Sequence, residues 1–367
     1  MMEMNKKARI IAYYLPQFHP IPENDKWWGK GFTEWTNVGK AVPLFKGHYQ
    51  PRVPADLGYY DLRLPIIREQ QAELAREAGI EGFCYWHYWF GNGKELIEMP
   101  FKEVLNSGKP DFPFCLAWAN DSWTAKSWNA NHKNMEKYLI EQLYPGVKDN
   151  LLHFEMYKKA FADKRYIRVD GRPVFLIYRP FDFKGVNDFI NQWNSLIKEN
   201  GFAESFYFVA CTDELSEHDK ALELGFDAIT NNPVKRMRVV FDSKKDSTLL
   251  RIVQHFVKRP FKTIEYKDAI KYLLTDEEKR EDTIPILMPN WDRSPRGGRS
   301  AVIWHNSTPF LFKEHALQVL KAVSKKENKL VFLKSWNEWA EGNYMEPDLK
   351  YGHGYINALR EAIEETK

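Results

Sequence analysis

Short apolar runs rich in β-branched and aromatic residues recur along the chain, and most are followed by a stretch of helical periodicity before the next begins. Eight of them read as strands: Arg9 to Leu15, Gly82 to Trp89, Phe112 to Ala119, Pro173 to Tyr178, Phe206 to Thr212, Ala228 to Asn231, Ile284 to Pro289 and Leu330 to Trp336. The helical patterns cover Leu64 to Ala78, Lys94 to Ser107, Asp149 to Asp163, Val186 to Glu199, Ser216 to Leu224, Lys262 to Leu274, Pro309 to Lys325 and Tyr355 to Glu365. Strand then helix, eight times over, predicts an α/β fold, a (β/α)8 TIM barrel with long βα loops. The 367 residues suit one such barrel with enlarged loops, so a single domain over 1–367 is expected, with loop insertions at about 17–63, 121–171 and 233–282. An open doubly wound sheet would carry a Gly-rich phosphate turn after an early strand. The first strand ends instead in Leu15-Pro16-Gln17-Phe18-His19-Pro20.

In a barrel the C-terminal ends of the strands and the loops after them form the active face. Here those positions carry Tyr13, Tyr14, Gln17 and His19, then Trp86, His87, Tyr88 and Trp89, then Trp118, Asn120 and Asp121, then Tyr178 and Arg179. Further round come Thr212 and Asp213, Asn231 and Asn232, then Asn290, Trp291 and Asp292, and finally Asn337 and Glu338 to Glu341. Every end is hydrogen-bonding or aromatic, which an inert face would not need. The first long loop adds Trp27-Trp28-Gly29-Lys30-Gly31-Phe32-Thr33-Glu34-Trp35, too aromatic for disorder and placed to form a binding wall over the mouth, with Trp35 as its candidate contact.

The densest chemistry lies in Lys334-Ser335-Trp336-Asn337-Glu338-Trp339-Ala340-Glu341-Gly342. Cleaving a glycosidic bond requires protonation of the leaving oxygen and electron supply to the anomeric carbon, and two carboxylates do this in most families. Glu338 at the strand end and Glu341 one tight turn later can point into one cavity. Asn337 is placed to hold Glu338 or a substrate hydroxyl, and Trp336 and Trp339 to form apolar walls that raise one carboxylate's pKa. His87, among Tyr85, Trp86, Tyr88 and Trp89, reads as a hydrogen-bonded wall residue, as does His19. With no H-x-H or H-E-x-x-H spacing, no metal and no other cofactor is expected. The chain also lacks a G-x-S-x-G elbow and a P-loop, which removes serine hydrolase and nucleotide kinase readings.

Composition narrows the partners. Aromatics reach 15% with 13 Trp, a surplus of rings that reads either as large core filling or, beside Asn, Asp and Glu, as the walls of a carbohydrate cleft. Fifty-three basic against fifty acidic residues leave +3, which gives no broad attraction for nucleic acid. One local exception runs from Pro233 to Lys262, where nine Lys or Arg oppose Asp242 and Asp246. It reads either as a solvated surface or as a dock for an acidic sugar, a lipid-linked pyrophosphate or membrane headgroups, making peripheral membrane contact through Lys235 to Lys262 one expectation. No 18-residue apolar run predicts a transmembrane helix. The apolar stretch Ala8 to Leu15 is too short and wrongly flanked for a signal peptide, and Cys84, Cys115 and Cys211 lack metal-type spacing. A cytoplasmic protein with buried free thiols, soluble or peripheral to the inner membrane, is expected.

Several segments together resemble the WbsX family of bacterial polysaccharide and O-antigen clusters, usually labelled glycosyltransferase and similar to glycoside hydrolase family 99. They are Tyr13-Tyr14-Leu15-Pro16-Gln17-Phe18-His19, Gly31-Phe32-Thr33-Glu34-Trp35, Gly82 to Phe90, Trp118-Ala119-Asn120-Asp121-Ser122-Trp123, Pro289-Asn290-Trp291-Asp292 and Trp336 to Gly342. The resemblance implies a retaining, metal-free enzyme in which Glu338 takes the proton of the substrate's own 2-hydroxyl, which then displaces the leaving group through an epoxide-like intermediate. Glu341 would act as general acid, then base. Ala340 stands where family 99 enzymes usually carry His, a departure that touches the second carboxylate's surroundings and the mannose preference. Three functions follow as alternatives: a glycosidase or transglycosylase acting on a bacterial polysaccharide or O-antigen glycan, a sugar-nucleotide-dependent glycosyltransferase of lipopolysaccharide, O-antigen or capsule biosynthesis, and a non-catalytic glycan-binding module. The absence of a D-x-D motif and of a Rossmann unit favours the first, and the presence of both glutamates disfavours the third.

Overall fold

A computed structural model describes residues 7–125, 138–232, 234–235, 260 and 262–366. Its main sheet runs parallel through β1 (Arg9–Tyr14), β2 (Gly82–Trp89), β3 (Phe114–Trp118), β4 (Arg172–Ile177), β5 (Tyr207–Thr212) and β6 (Ala228–Asn231), each paired with the next. β7 comes in two pieces, Thr283–Ile284 beside β6 and Ile286–Leu287 beside β8 (Leu330–Leu333). Pro285 between them has no N–H to donate, so the ladder changes partner there. β8 pairs with β1, and the sheet comes round on itself as the predicted barrel.

Helices α1 (Pro65–Glu77), α2 (Met99–Ser107), α3 (Val147–Ala162), α4 (Val186–Glu199), α5 (His218–Glu223), α6 (Tyr266–Ala269), α7 (Pro309–Val323) and α8 (Gly354–Glu365) follow the strands in order. Two of them differ from expectation. The helix predicted from Lys94 starts only at Met99, because Glu95–Leu96 first folds back antiparallel onto β2. The helix predicted over Lys262–Leu274 shrinks to the single turn of α6 and a 3-10 turn at Ile270–Tyr272. Thr263–Glu265 ahead of it is extended and pairs with Ile303–His305, which pairs in turn with Trp291–Asp292. This small sheet sits on its own core of Ile264, Tyr266, Met288, Trp291 and Trp304, and it fixes the loop that follows β7.

The pleat decides which strand residues reach the mouth. In parallel register Tyr13 lies beside Cys84, Cys84 beside Cys115, and Trp86 beside Ala117, so these residues share the interior face. Tyr13 stacks on Trp86 of one neighbouring strand at 4.9 Å and on Phe332 of the other at 5.0 Å. Intervening residues face the helices. Tyr14 donates to Gln71 of α1, His87 meets His153 of α3 at 2.6 Å, and Trp89 Nε1 donates to Asp149 of α3. All three cysteines are free, Cys84 and Cys115 fully buried. Among the described residues no helix is long and apolar enough to cross a membrane.

Candidate active site

Past β8 the chain passes a cis Lys334–Ser335 peptide and enters a hairpin, Asn337–Glu338 against Asn343–Tyr344. The Asn337 amide grips β1 from both ends: its Oδ1 accepts from Leu15 N at 2.8 Å and its Nδ2 donates to Leu15 O at 3.0 Å. Behind the hairpin the buried Glu346 carboxyl collects Trp339 Nε1, Gln71 Nε2 and Tyr60 Oη at 2.6, 2.6 and 2.9 Å. Gly342 closes the turn with φ +57°, and a Cβ there would stand 2.8 to 3.0 Å from Asp292 Cβ, N and O. Only glycine meets both conditions. Glu338 and Glu341 are thereby turned into one cavity of about 780 Å³ at the barrel mouth.

A guanidinium joins the two acids. Arg296 Nη1 lies 2.7 Å from Glu341 Oε1 and 3.9 Å from Glu338 Oε1, while its Nη2 donates to Glu34 Oε2 at 2.8 Å. Arg293 Nε adds a second contact to Glu341 Oε1 at 3.2 Å, and Ser335 Oγ donates to Glu338 Oε2 at 3.1 Å. Both arginines ride on the turn that leaves the small sheet, where Pro295 fits the start of the short helix Ser294–Gly297. Asp292 anchors that turn by accepting from Ser294 N, and is itself held by His48 Nε2 at 2.8 Å and Gln50 Nε2 at 2.7 Å.

These surroundings push the pair apart. Burial, reinforced by the nearby Glu341 charge, lifts the Glu338 carboxyl to about 7 against the pull of Lys334 and Arg296. Burial acts on Glu341 too, but Arg296, Arg293 and Lys334 outweigh it and hold that carboxyl below its usual range. Two carboxylates with opposed environments are how one cleft keeps an acid and an anion at neutral pH. Across the mouth, burial raises Asp121 to about 6 against the opposing charge of Arg179.

Of the residues predicted at the mouth, Trp86, Tyr88, Asp121, Tyr178, Arg179, Asn232, Trp291, Glu338 and Glu341 line the cavity. Tyr14, His87, Trp89, Trp118 and Asn120 do not; they lie on the opposite pleat or are spent on internal hydrogen bonds, Trp118 Nε1 to Trp89 O and Asn120 Nδ2 to Tyr144 Oη and Arg179 O. Gln17 and His19 are buried away from the wall, and Asn290 and Asp292 are taken up by Arg52 and His48. Asn337 holds β1 and not Glu338, and Trp336 and Trp339 are buried behind the hairpin, so the apolar walls are Trp86, Tyr88, Trp123 and Trp291 instead. The first loop adds no lining residue. Trp35 packs on Trp339 at 5.4 Å, and the loop's reach to the site is Glu34. Ala340 is buried in the core. Of the basic run, Lys235 and Lys262 line the cavity, while 236–259 lies outside the described residues.

Sequence reading missed Arg296, Arg293 and Lys334, whereas Arg179, placed at the mouth beside Tyr178, does line the cavity. The signal for the first two was present as Ser294-Pro295-Arg296-Gly297-Gly298, a Pro-initiated turn carrying a cation directly after a candidate strand end.

Among solved structures, the chain is similar to one described as a glycoside hydrolase-like protein, at 15% identity and TM-score 0.60 over 99% of this chain and 96% of that one. It is also similar to two structures of the GH99 endo-alpha-mannosidase of Bacteroides thetaiotaomicron, at 14% and 13% identity and TM-scores 0.57 and 0.52, over 98% of this chain and 97% of those. At such identity the likeness shows the barrel fold. Among curated proteins it is 35% identical over 361 residues to "Uncharacterized protein WxcX" of two strains of Xanthomonas campestris pv. campestris, covering 97% of this chain. The chain spans 50% of the length of those relatives. The family described as Glycosyltransferase WbsX matches residues 10–359, nearly the whole of the chain, and the chain therefore belongs to the WbsX family.

Proposed function

We propose that the protein is a glycosidase or transglycosylase acting with retention on a bacterial polysaccharide or O-antigen glycan. The observation that carries this is the carboxylate pair with opposed ionisation in an aromatic-walled cleft. Glu338, protonated below about pH 7, gives its proton to the leaving glycosidic oxygen. Glu341 stays ionised and forms a bond to the anomeric carbon as the glycosidic bond breaks. In the second step an acceptor hydroxyl, from water or another sugar, loses its proton to Glu338 and displaces Glu341. The two inversions give net retention.

This exchanges the jobs that the family 99 resemblance implies. A carboxylate in contact with two guanidiniums is poorly suited to carry a proton, while one lifted to about 7 gives and takes protons readily. On this reading kcat/KM falls as pH rises through about 7, because Glu338 loses the proton it must donate, and the acidic limb lies below the ordinary carboxylate range, where Glu341 is neutralised. A profile flat from about pH 5 to about pH 9 rules out this role for Glu338.

The runner-up, transfer from a sugar nucleotide, is favoured by the family's own description. Incubating the protein with an O-antigen oligosaccharide, with and without sugar nucleotides, and weighing the products by mass spectrometry separates the two. Shortened or rearranged glycans are expected without any nucleotide. Products that appear only when nucleotide is added mean that the glycosidase reading is wrong.

A further inference from the structure

Besides Arg293 and Arg296, four cations line the cleft, in the sector from β4 round to β8. Arg179 follows β4, Lys235 follows β6, Lys262 leads into the small sheet, and Lys334 extends β8. Asp213, after β5, is shared by two of them, with Oδ2 2.7 Å from Arg179 Nη1 and 2.6 Å from Lys235 Nζ. Among the described residues, Lys262 and Lys334 have no carboxylate within ion-pair distance. The Lys334 ammonium lies 5.8 Å from the Trp291 ring, and its charge acts on both Glu338 and Glu341.

Such a sector is costly if the substrate is neutral. Pyranose hydroxyls and apolar faces are satisfied by amides, carboxylates and rings, so beyond the charge that Lys334 lends to Glu341 a neutral substrate leaves the desolvation of these cations uncompensated. The chain as a whole carries only +3, while the cavity lining sets six Lys or Arg against Asp121, Glu338 and Glu341. An anionic group in the sector changes the balance, because charge-assisted hydrogen bonds to ammonium and guanidinium are stronger than neutral ones and low-dielectric walls focus the field.

We propose that this sector binds an anionic group on the glycan substrate, a sugar carboxylate or a phosphate, with Lys334, Lys235, Lys262 and Arg179 as its ligands. The proposal rests on the reading of the cleft as a glycan-processing site and names the substrate class for it. Neutral sugar units stack on Trp86 and Trp291, and the acidic unit selects which residue of the polymer reaches Glu338 and Glu341.

Calorimetric titration of the full chain with D-glucuronate, inorganic pyrophosphate and D-glucose tests it. At low salt at least one anion is expected to bind about tenfold or more tighter than glucose, and to weaken as salt rises. Preference for glucuronate identifies a sugar carboxylate, and preference for pyrophosphate identifies a phosphate. Lys334→Gln and Lys235→Gln are each expected to weaken anion binding about tenfold and to leave glucose unchanged. Lys262→Gln, at an exposed position, guards against misfolding and is expected to show a smaller loss of the same sign. Equal affinity for glucose and both anions, no anion binding at all, or unchanged anion affinity in all three variants overturns the proposal. In Glu341→Gln anion binding is expected to persist while turnover is lost, which separates the anion site from the enzymatic reading. Cleavage of an uncharged glycan without anion preference defeats the anion site alone, and anion binding without turnover of any glycan defeats the enzyme alone.

Discussion

Glu341→Gln is expected to lower kcat by about 10³-fold while glycan binding stays within about threefold of the native value. The amide keeps the side chain's volume and offers Arg296 and Arg293 an oxygen to bind, so the cleft keeps its shape and loses the negative charge that faces the anomeric carbon. Glu338→Gln removes the proton donor instead and is expected to cost a similar factor on natural linkages. The two variants part company on substrates whose leaving group needs no proton. A nitrophenyl glycoside is expected to restore much of the lost rate to Glu338→Gln and little to Glu341→Gln, because only the first defect lies in leaving-group protonation. The opposite pattern of rescue returns the acid's job to Glu341, as the family 99 resemblance implies. Turnover within about tenfold of native in Glu341→Gln removes the carboxylate pair from the mechanism altogether.

The barrel is legible in the sequence because buried parallel strands read as continuous apolar runs, and each of the eight is present. Where the runs mislead is in which side chains face the mouth. Tyr85-Trp86-His87-Tyr88-Trp89 has no polar alternation to reveal its pleat, so four neighbours look equally like contacts, yet the period of two sends Trp86 and Tyr88 to the cavity and His87 and Trp89 to α3. A reading of Tyr13 and Leu15 as inward would have fixed the parity of Tyr14 in the same way. Asp292 misleads for another reason. It sits at a strand end, but its partners His48 and Gln50 are far away in sequence, and no local pattern announces that pairing. Glu34 is the reverse case, visible inside Gly31-Phe32-Thr33-Glu34-Trp35 but given its meaning only by Arg296, which is 262 positions away.

Arg296→Met is expected to be the most destabilising single change near the site, by about 3 to 5 kcal/mol at neutral pH. The guanidinium is only 6% exposed and lies between Glu34, with no exposure, and Glu341. Removing it leaves two buried carboxylates without their main partner, and the methionine chain fills the space without supplying charge. Burial already lifts the Glu34 carboxyl against the opposing pull of Arg296, so without that pull it rises further. A carboxyl whose folded-state pKa lies above its unfolded value contributes most stability below the unfolded pKa and loses it as pH rises through the folded one. The deficit in Arg296→Met is therefore expected to be larger at about pH 8 than at about pH 5, as measured by urea unfolding at both. Adding Glu34→Gln is expected to recover a large part of the loss, since it removes one of the stranded charges, whereas the same substitution alone leaves Arg296 with Glu341 and costs less. In activity, loss of Arg296 lets the Glu341 carboxyl rise, so the acidic limb of kcat/KM shifts to higher pH. Equal destabilisation at both pH values, with an unmoved acidic limb, means that Arg296 holds the turn by packing and not by setting the charge of Glu341.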